Sequence, residues 1–177
     1  GLFLTSMTIQ MIAQSISPIL PLYVRALGQR NNLIFVSGMI VSAMGVSSML
    51  FSGWMGKLGD RIGNHRLLLI ALLYSGCLYI LCAQAQSPLQ LGILRFLFGI
   101  GTGALLPGVS ALLNRLTPPE GISRIFSYNQ LFYYLGGVLG PMMGSSIFMH
   151  FGYHWVFYGT ALLAFTDLMF LLFLFRK

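Results

Sequence analysis

The chain has 177 residues, of which 56% are hydrophobic and 7% charged, and a net charge of +7. A soluble domain carries roughly 25% charged residues, so a water-soluble globular fold is excluded, and the apolar runs are too long for soluble core helices. The basic residues sit at the ends of those runs rather than along one face, which argues against a nucleic-acid partner and for a membrane topology signal.

Six runs are long enough to cross a bilayer, which takes about 20 residues each. They cover 2–24, 34–56, 67–85, 89–114, 125–149 and 154–175. Backbone polar groups in lipid must be satisfied within their own segment, so these runs are read as the six helices of an all-α membrane protein. The first run shows no basic leader and no small-residue cleavage site, so it is not expected to be a signal peptide. The chain is expected to be part of a longer protein.

The first run carries Gln10, Gln14, Ser15 and Ser17 ahead of Pro18 and Pro21. Gln10 and Gln14 share a helix face, and the prolines predict a kink with freed carbonyls. The glutamines either bond to a neighbouring helix or line a central cavity. In the second run Ser37, Gly38, Ser42, Gly45, Ser48 and Gly53 predict close packing against a partner helix. The stretch 56–66 follows, Gly56-Lys57-Leu58-Gly59-Asp60-Arg61-Ile62-Gly63-Asn64-His65-Arg66, and is the densest cluster of charge in the chain. It is read as a charged turn at a water boundary.

The third run is apolar and is expected to face lipid. Its two cysteines, Cys77 and Cys82, fall on different faces as small packing residues. The fourth run holds Arg95, the one cation inside a span, and Gly99, Gly101 and Gly103, which thin the helix. An intramembrane cation points into the bundle or snorkels to the interface. A polar loop spans 114–123. The fifth run bears Asn129, Gln130, Phe132 and Tyr133, then Gly136, Gly140, Pro141 and Gly144, with the glycines four apart on one face. That face is expected to press against the second helix. The sixth run holds the one intramembrane acid, Asp167.

Counting Lys and Arg by loop sets the orientation. With the first helix entering from the cytoplasm, that side collects Lys57, Arg61, Arg66, Arg115, Arg124, Arg176 and Lys177, seven against Arg25 and Arg30 outside. Both ends of the segment are therefore expected in the cytoplasm. No metal-ligand spacing and no nucleophile–base pair is evident, so neither an enzyme nor a bound metal or other cofactor is expected.

Three motifs now stand in order, and together they resemble those of the major facilitator superfamily. Gly56, Leu58, Gly59, Asp60, Arg61 and Gly63 match its motif A, while Asn64 and His65 replace the usual basic pair and Arg66 partly stands in for them. Leu91, Arg95, Phe98, Gly99 and Gly101 resemble motif B, with Phe98 where Gln is common. Gly136, Gly140, Pro141, Gly144 and Ser145 resemble the antiporter-associated motif C. More closely, Ile16-Ser17-Pro18-Ile19-Leu20 and Arg124-Ile125-Phe126-Ser127-Tyr128-Asn129-Gln130 are similar to the C-terminal half of bacterial multidrug exporters of the MdtG/PmrA type.

The resemblance implies a twelve-helix transporter of which this chain supplies helices seven to twelve, as two inverted three-helix repeats. It implies proton-coupled export of amphipathic drugs, fluoroquinolones included, from a bacterial plasma membrane, with the N-terminal half, lipid, drug and protons as partners. Motif A would then be an inner gate, with Asp60 accepting from a helix N-terminus or pairing with Arg61 or Arg66. Gln10, Gln14, Asn129, Gln130, Phe132 and Tyr133 are the substrate-cavity candidates. Asp167 is a candidate proton carrier, set against a packing role or a carrier elsewhere. A metabolite symporter of the same fold, or a six-helix scaffold that transports nothing, are the alternatives.

Overall fold

A computed structural model describes residues 1–28 and 31–175. Arg30, Arg176 and Lys177, all used above in the charge count, lie outside the described residues. The described chain is all-helical: α1 (Leu2–Gln14), α2 (Leu20–Ala26), α3 (Leu33–Ile62), α4 (Asn64–Ala83), α5 (Pro88–Leu116), α6 (Ile122–Phe151) and α7 (Tyr153–Phe175), with a short 3-10 turn at Pro119–Gly121. Of these, α3 through α7 are long and apolar enough to cross a membrane.

The first run departs from the expected single helix. It breaks over 15–19, because Pro18 has no N–H for the Gln14 carbonyl and Pro21 none for that of Ser17. Ser17 N–H bonds to Gln14 O instead, at 3.2 Å, and Leu20 N–H recovers the helical ladder on Ile16 O at 3.0 Å. Seven α-helices therefore stand where six were expected.

The charged turn also differs. Helix α3 runs on through Lys57, Asp60 and Arg61 to Ile62, and α4 opens at Asn64. One residue, Gly63, reverses the chain at φ 94° and ψ 128°, a conformation that only glycine adopts without strain. Gly56 and Gly59 are helical. The expected loop at 114–123 likewise shrinks, since α5 continues to Leu116. Ser87 starts α5 as its N-cap: its hydroxyl accepts from Gln90 N–H at 3.2 Å, and the Gln90 side chain accepts from Gln86 N–H at 3.1 Å.

Packing is reciprocal. The principal pairs are α3 with α5, α1 with α6, and α4 with α7, and α4 also packs on α5. The apolar third run is therefore not a lipid-facing helix throughout. Leu67, Leu68, Ala71 and Leu72 are buried, and Ile70 and Leu73 alone of that stretch stand well exposed. Small residues permit these approaches. A Cβ on Gly76 of α4 would meet the Phe165 ring of α7 at 2.8 Å, and one on Gly101 of α5 would meet the Tyr74 ring of α4 at 2.8 Å.

Candidate functional site

Near the Gly63 reversal the last two turns of α3 carry Lys57, Asp60 and Arg61, all exposed, and Arg66 is exposed on the first turns of α4. Among the described residues Asp60 has no ion-pair or hydrogen-bond partner. Gly59 is buried, and a Cβ there would overlap Oδ1 of Asn64 and meet Leu67 Cδ2 at 3.1 Å. Asn64, which departs from the basic residue of the motif, thus fills the space that Gly59 leaves. Gly56 has open space around it. So do Gly38, Gly45 and Gly53. The small residues of α3 divide into two faces, with Ser47 and Ser48 turned to α5 and these glycines turned to no neighbour.

On the α5 side Ser47 donates to Phe96 O, at 2.6 Å, and Gly99 and Gly103 accept the α3 backbone. A Cβ on Gly99 would overlap Met44 O and Ser47 Oγ, and one on Gly103 would lie 3.1 Å from Ser48 O. Arg95 is interior, at 5% exposure. Its guanidinium carbon lies 5.8 Å from the Tyr79 ring centre and 6.0 Å from that of Phe98, and one of its nitrogens approaches Met44 Sδ at 3.8 Å. Nε has no partner. Aromatic faces, rather than a carboxylate, hold this charge in the core.

Tyr79 joins that cation to the break in the first run. Its hydroxyl donates to Ile12 O at 2.5 Å, and the ring stands edge-on to Phe98 at 4.8 Å. Ser15, at the end of α1, bonds to Thr160 of α7 at 2.9 Å and donates to Ile12 O at 3.2 Å. Beyond the break, Tyr23 of α2 reaches the end of α4 and the link after it, donating to Cys82 O at 3.2 Å and Ala85 O at 3.4 Å. His154 Nδ1 approaches the Ala83 carbonyl at 2.6 Å. These groups satisfy a helix end that has no further turn to accept from.

The glycine face of α6 packs on α1, not on the second run as expected. A Cβ on Gly136 would overlap Met7 O, one on Gly140 would lie 2.8 Å from Met11 O, and one on Gly144 would overlap Ser15 O. The spacing of four residues shows which residues share a face, but the carbonyls at positions 7, 11 and 15 supply the matching repeat. Glycine Cα–H groups laid on carbonyl oxygens are a recurring geometry of helix crossings.

The six cavity candidates divide. Gln10 lies over Gly136 and Gly137, Asn129 accepts from Ser6 at 2.6 Å, and Phe132 stacks on Phe3 with ring centres 5.7 Å apart. These three share the seam between α1 and α6. Gln14 accepts from Ser17 at 2.9 Å, within the break. Tyr133 packs edge-on to Tyr134 at 5.9 Å. Gln130 is exposed on another face of α6, in a shallow groove with Ser127, Leu131 and Tyr134.

Asp167 is buried, with Oδ1 accepting from Thr5 Oγ1 at 3.3 Å and Oδ2 without a hydrogen-bond partner among the described residues. Thr5 and Ser6 were not singled out in the sequence, nor were Tyr23 and Tyr79. Thr5 and Ser6 are adjacent hydroxyls in an apolar run, and that pair was the available signal. Tyr79 sits in an apolar run and looks like any packing aromatic.

The model of the Major Facilitator Superfamily matches residues 2–177. A multi-drug resistance efflux pump, PmrA of Streptococcus pneumoniae strain R6, is 63% identical over 176 residues, covering 99% of this chain and 44% of its own. The PmrA homolog of Lactococcus lactis is 49% identical over 178 residues, with 100% of this chain and 44% of its own covered. The multidrug resistance protein MdtG of Escherichia coli K12 is 50% identical over 162 residues, covering 91% and 40%. The chain thus spans less than half the length of these curated relatives. The solved peptide transporter POT, in complex with sulfate, superposes with a TM-score of 0.84 at 23% identity, over 97% of this chain and 36% of that one. At that identity the likeness is one of fold.

Proposed function

The chain belongs to the Major Facilitator Superfamily, and on that premise we propose that it is the C-terminal half of a bacterial multidrug exporter working by alternating access. The observation that carries this is the 63% identity to an efflux pump over nearly the whole chain, joined to three motifs that occupy structured positions. In this reading the broken first run and the five long helices make six crossings of the plasma membrane, with the Gly63 reversal and both ends of the segment in the cytoplasm. The reciprocal pairing of α1 with α6 and α3 with α5, and of α4 with α7, supports two three-helix units related by an inverted repeat. The protein is a carrier rather than an enzyme.

The N-terminal half is the partner that would complete the drug pathway. The open glycine face of α3, with Gly38, Gly45 and Gly53, offers a second helix the close approach that small residues allow. Amphipathic drugs, fluoroquinolones among them, would meet Gln10, Asn129 and Phe132 along the α1 and α6 seam, where apolar walls carry a few polar groups. Proton entry would drive export. Asp60 is exposed and has no partner among the described residues, and as an inner latch it would bind a helix N-terminus or a basic residue only when the cytoplasmic side closes.

The test uses the full-length transporter in proteoliposomes with an imposed pH gradient, beside this chain alone. Gradient-driven dye movement by the full protein, none by the half, and reduced transport with normal insertion for Asp60→Asn are expected. No dye movement by the full protein would overturn the export reading. Unchanged transport by Asp60→Asn at matched expression would remove the latch.

A further inference from the structure

The bundle contains tightly joined pairs and several sparser junctions, α1 with α7 among them. Glycines seat α6 on the carbonyls of α1, and α4 and α7 close on each other through Gly76 and Phe165. The contact between α1 and α7 is built differently. It carries two polar bridges, Ser15 with Thr160 at 2.9 Å and Thr5 with Asp167 at 3.3 Å.

Asp167 is 6% exposed, and the single bond to Thr5 leaves Oδ2 buried and unpartnered. Among the described residues no cation from α1, α4 or α6 lies against it. α1 presents Thr5, and α6 presents no titratable side chain bonded to it. On α4, Tyr79 and Cys82 lie toward the other end beside Arg95. His65 stacks on Phe175, eight residues further along α7 and so about 12 Å away along the axis. Asp60 and Glu120, by contrast, are both exposed to solvent. An ionised carboxylate so placed would lack both counter-charge and water, which costs several-fold more than burying the neutral acid. Intramembrane acids in such settings mark proton paths.

We propose that Asp167 is a proton-binding group of the carrier, buried as the neutral acid between α1 and α7 and ionised only when those helices part. The assignment rests on the proton-coupled export reading. In each cycle the carboxylate would take one proton from water on the outer side, close the junction as the acid, and return the proton to the cytoplasm when it reopens. The only bond made and broken is the O–H of the carboxyl group, with water giving the proton on the outer side and taking it on the inner. Thr5 is a positioning residue, whose hydroxyl donates to the carboxyl oxygen while the junction is closed.

The experiment measures two modes of dye transport by the full-length protein in proteoliposomes: accumulation driven by a pH gradient, and exchange at equal pH. Asp167→Asn, which mimics the neutral acid, is expected to keep exchange and lose gradient-driven accumulation, while Asp167→Glu keeps both. Accumulation by Asp167→Asn equal to that of the unaltered protein would overturn the assignment while leaving proton coupling intact. Failure of the unaltered protein to respond to the gradient, with exchange preserved, would overturn the coupling reading and the assignment with it. An infrared difference spectrum between unaltered protein and Asp167→Glu, taken near neutral pH, should show the carbonyl band of a protonated carboxyl shifting. It serves even if Asp167→Asn fails to insert, and absence of such a band would overturn the assignment.

Discussion

Gly144 of α6 and Ser15 at the end of α1 meet backbone to backbone, so that a Cβ on the glycine would overlap the Ser15 carbonyl oxygen. The same relation holds for Gly136 with the Met7 carbonyl oxygen, about two turns earlier along the seam. Gly137, one residue aside, lies 3.6 Å from the Gln10 amide nitrogen by the same construction, an ordinary contact.

Alanine at these positions separates packing from helix propensity. An exposed Gly→Ala change in a helix gains up to about 1 kcal/mol, whereas overpacking costs about 1–3 kcal/mol. Gly144→Ala should lower thermal stability in detergent, and Gly137→Ala should leave it equal or higher. Equal stability of the two variants would show that the seam can open to admit a methyl group.

Gly63 should be the one glycine of the charged stretch that the backbone conformation requires. Gly63→Ala forces a side chain to φ 94°, a strain of about 1–3 kcal/mol. Gly56→Ala, in a helix with open space around it, should leave stability equal or higher. Thermal unfolding of the two variants compares them directly. A loss of transport by Gly56→Ala without a loss of stability would place the other half of the transporter against that face.

The Tyr79 hydroxyl should act through the Ile12 carbonyl. Tyr79→Phe keeps the ring on Phe98 and under Arg95 but removes the 2.5 Å bond, at a cost of about 0.5–1.5 kcal/mol. Ser15 donates to the same oxygen, so the pair should be coupled. A double-mutant cycle of Tyr79→Phe and Ser15→Ala in thermal unfolding should show non-additivity, and strict additivity would mean the two bonds are independent.

Arg95 should resist replacement by lysine. Its flat guanidinium lies beside the paired rings of Tyr79 and Phe98, and an ammonium presents a compact, strongly hydrated charge there. Arg95→Lys should lose stability, and Arg95→Met should lose less, since Met44 already shows that a thioether packs at this place. The order of unfolding temperatures checks this, and a lysine variant as stable as the parent would contradict it.

The parts of this architecture that were legible in the sequence are those set by period and composition. Apolar run length locates the spans, a lone cation in such a run singles out Arg95 without deciding between bundle and interface, and glycines four apart define the face of α6. A spacing names a face without naming its neighbour, and for that reason α1 rather than the second helix was missed as the partner. The stretch 56–66 misled for another reason. Charge and glycine together look like a loop, yet Lys57, Asp60 and Arg61 are tolerated on helix ends that reach water, and one positive-φ residue is enough to reverse the chain. The break at 15–19 was half legible: proline removes donors, but whether a helix bends or parts depends on groups such as Tyr79 and Thr160 that lie far off in sequence.

The account stands on the placement of the Gly63 reversal at the cytoplasmic face of an export carrier. The most direct measurement is side-specific labelling in the full-length protein, with Cys77 and Cys82 replaced and single cysteines put at Lys57 and at Arg25. An impermeant maleimide added to intact cells should label Arg25→Cys and leave Lys57→Cys untouched, and inside-out vesicles should reverse the pattern. Labelling of Lys57→Cys from the outside of intact cells would contradict it.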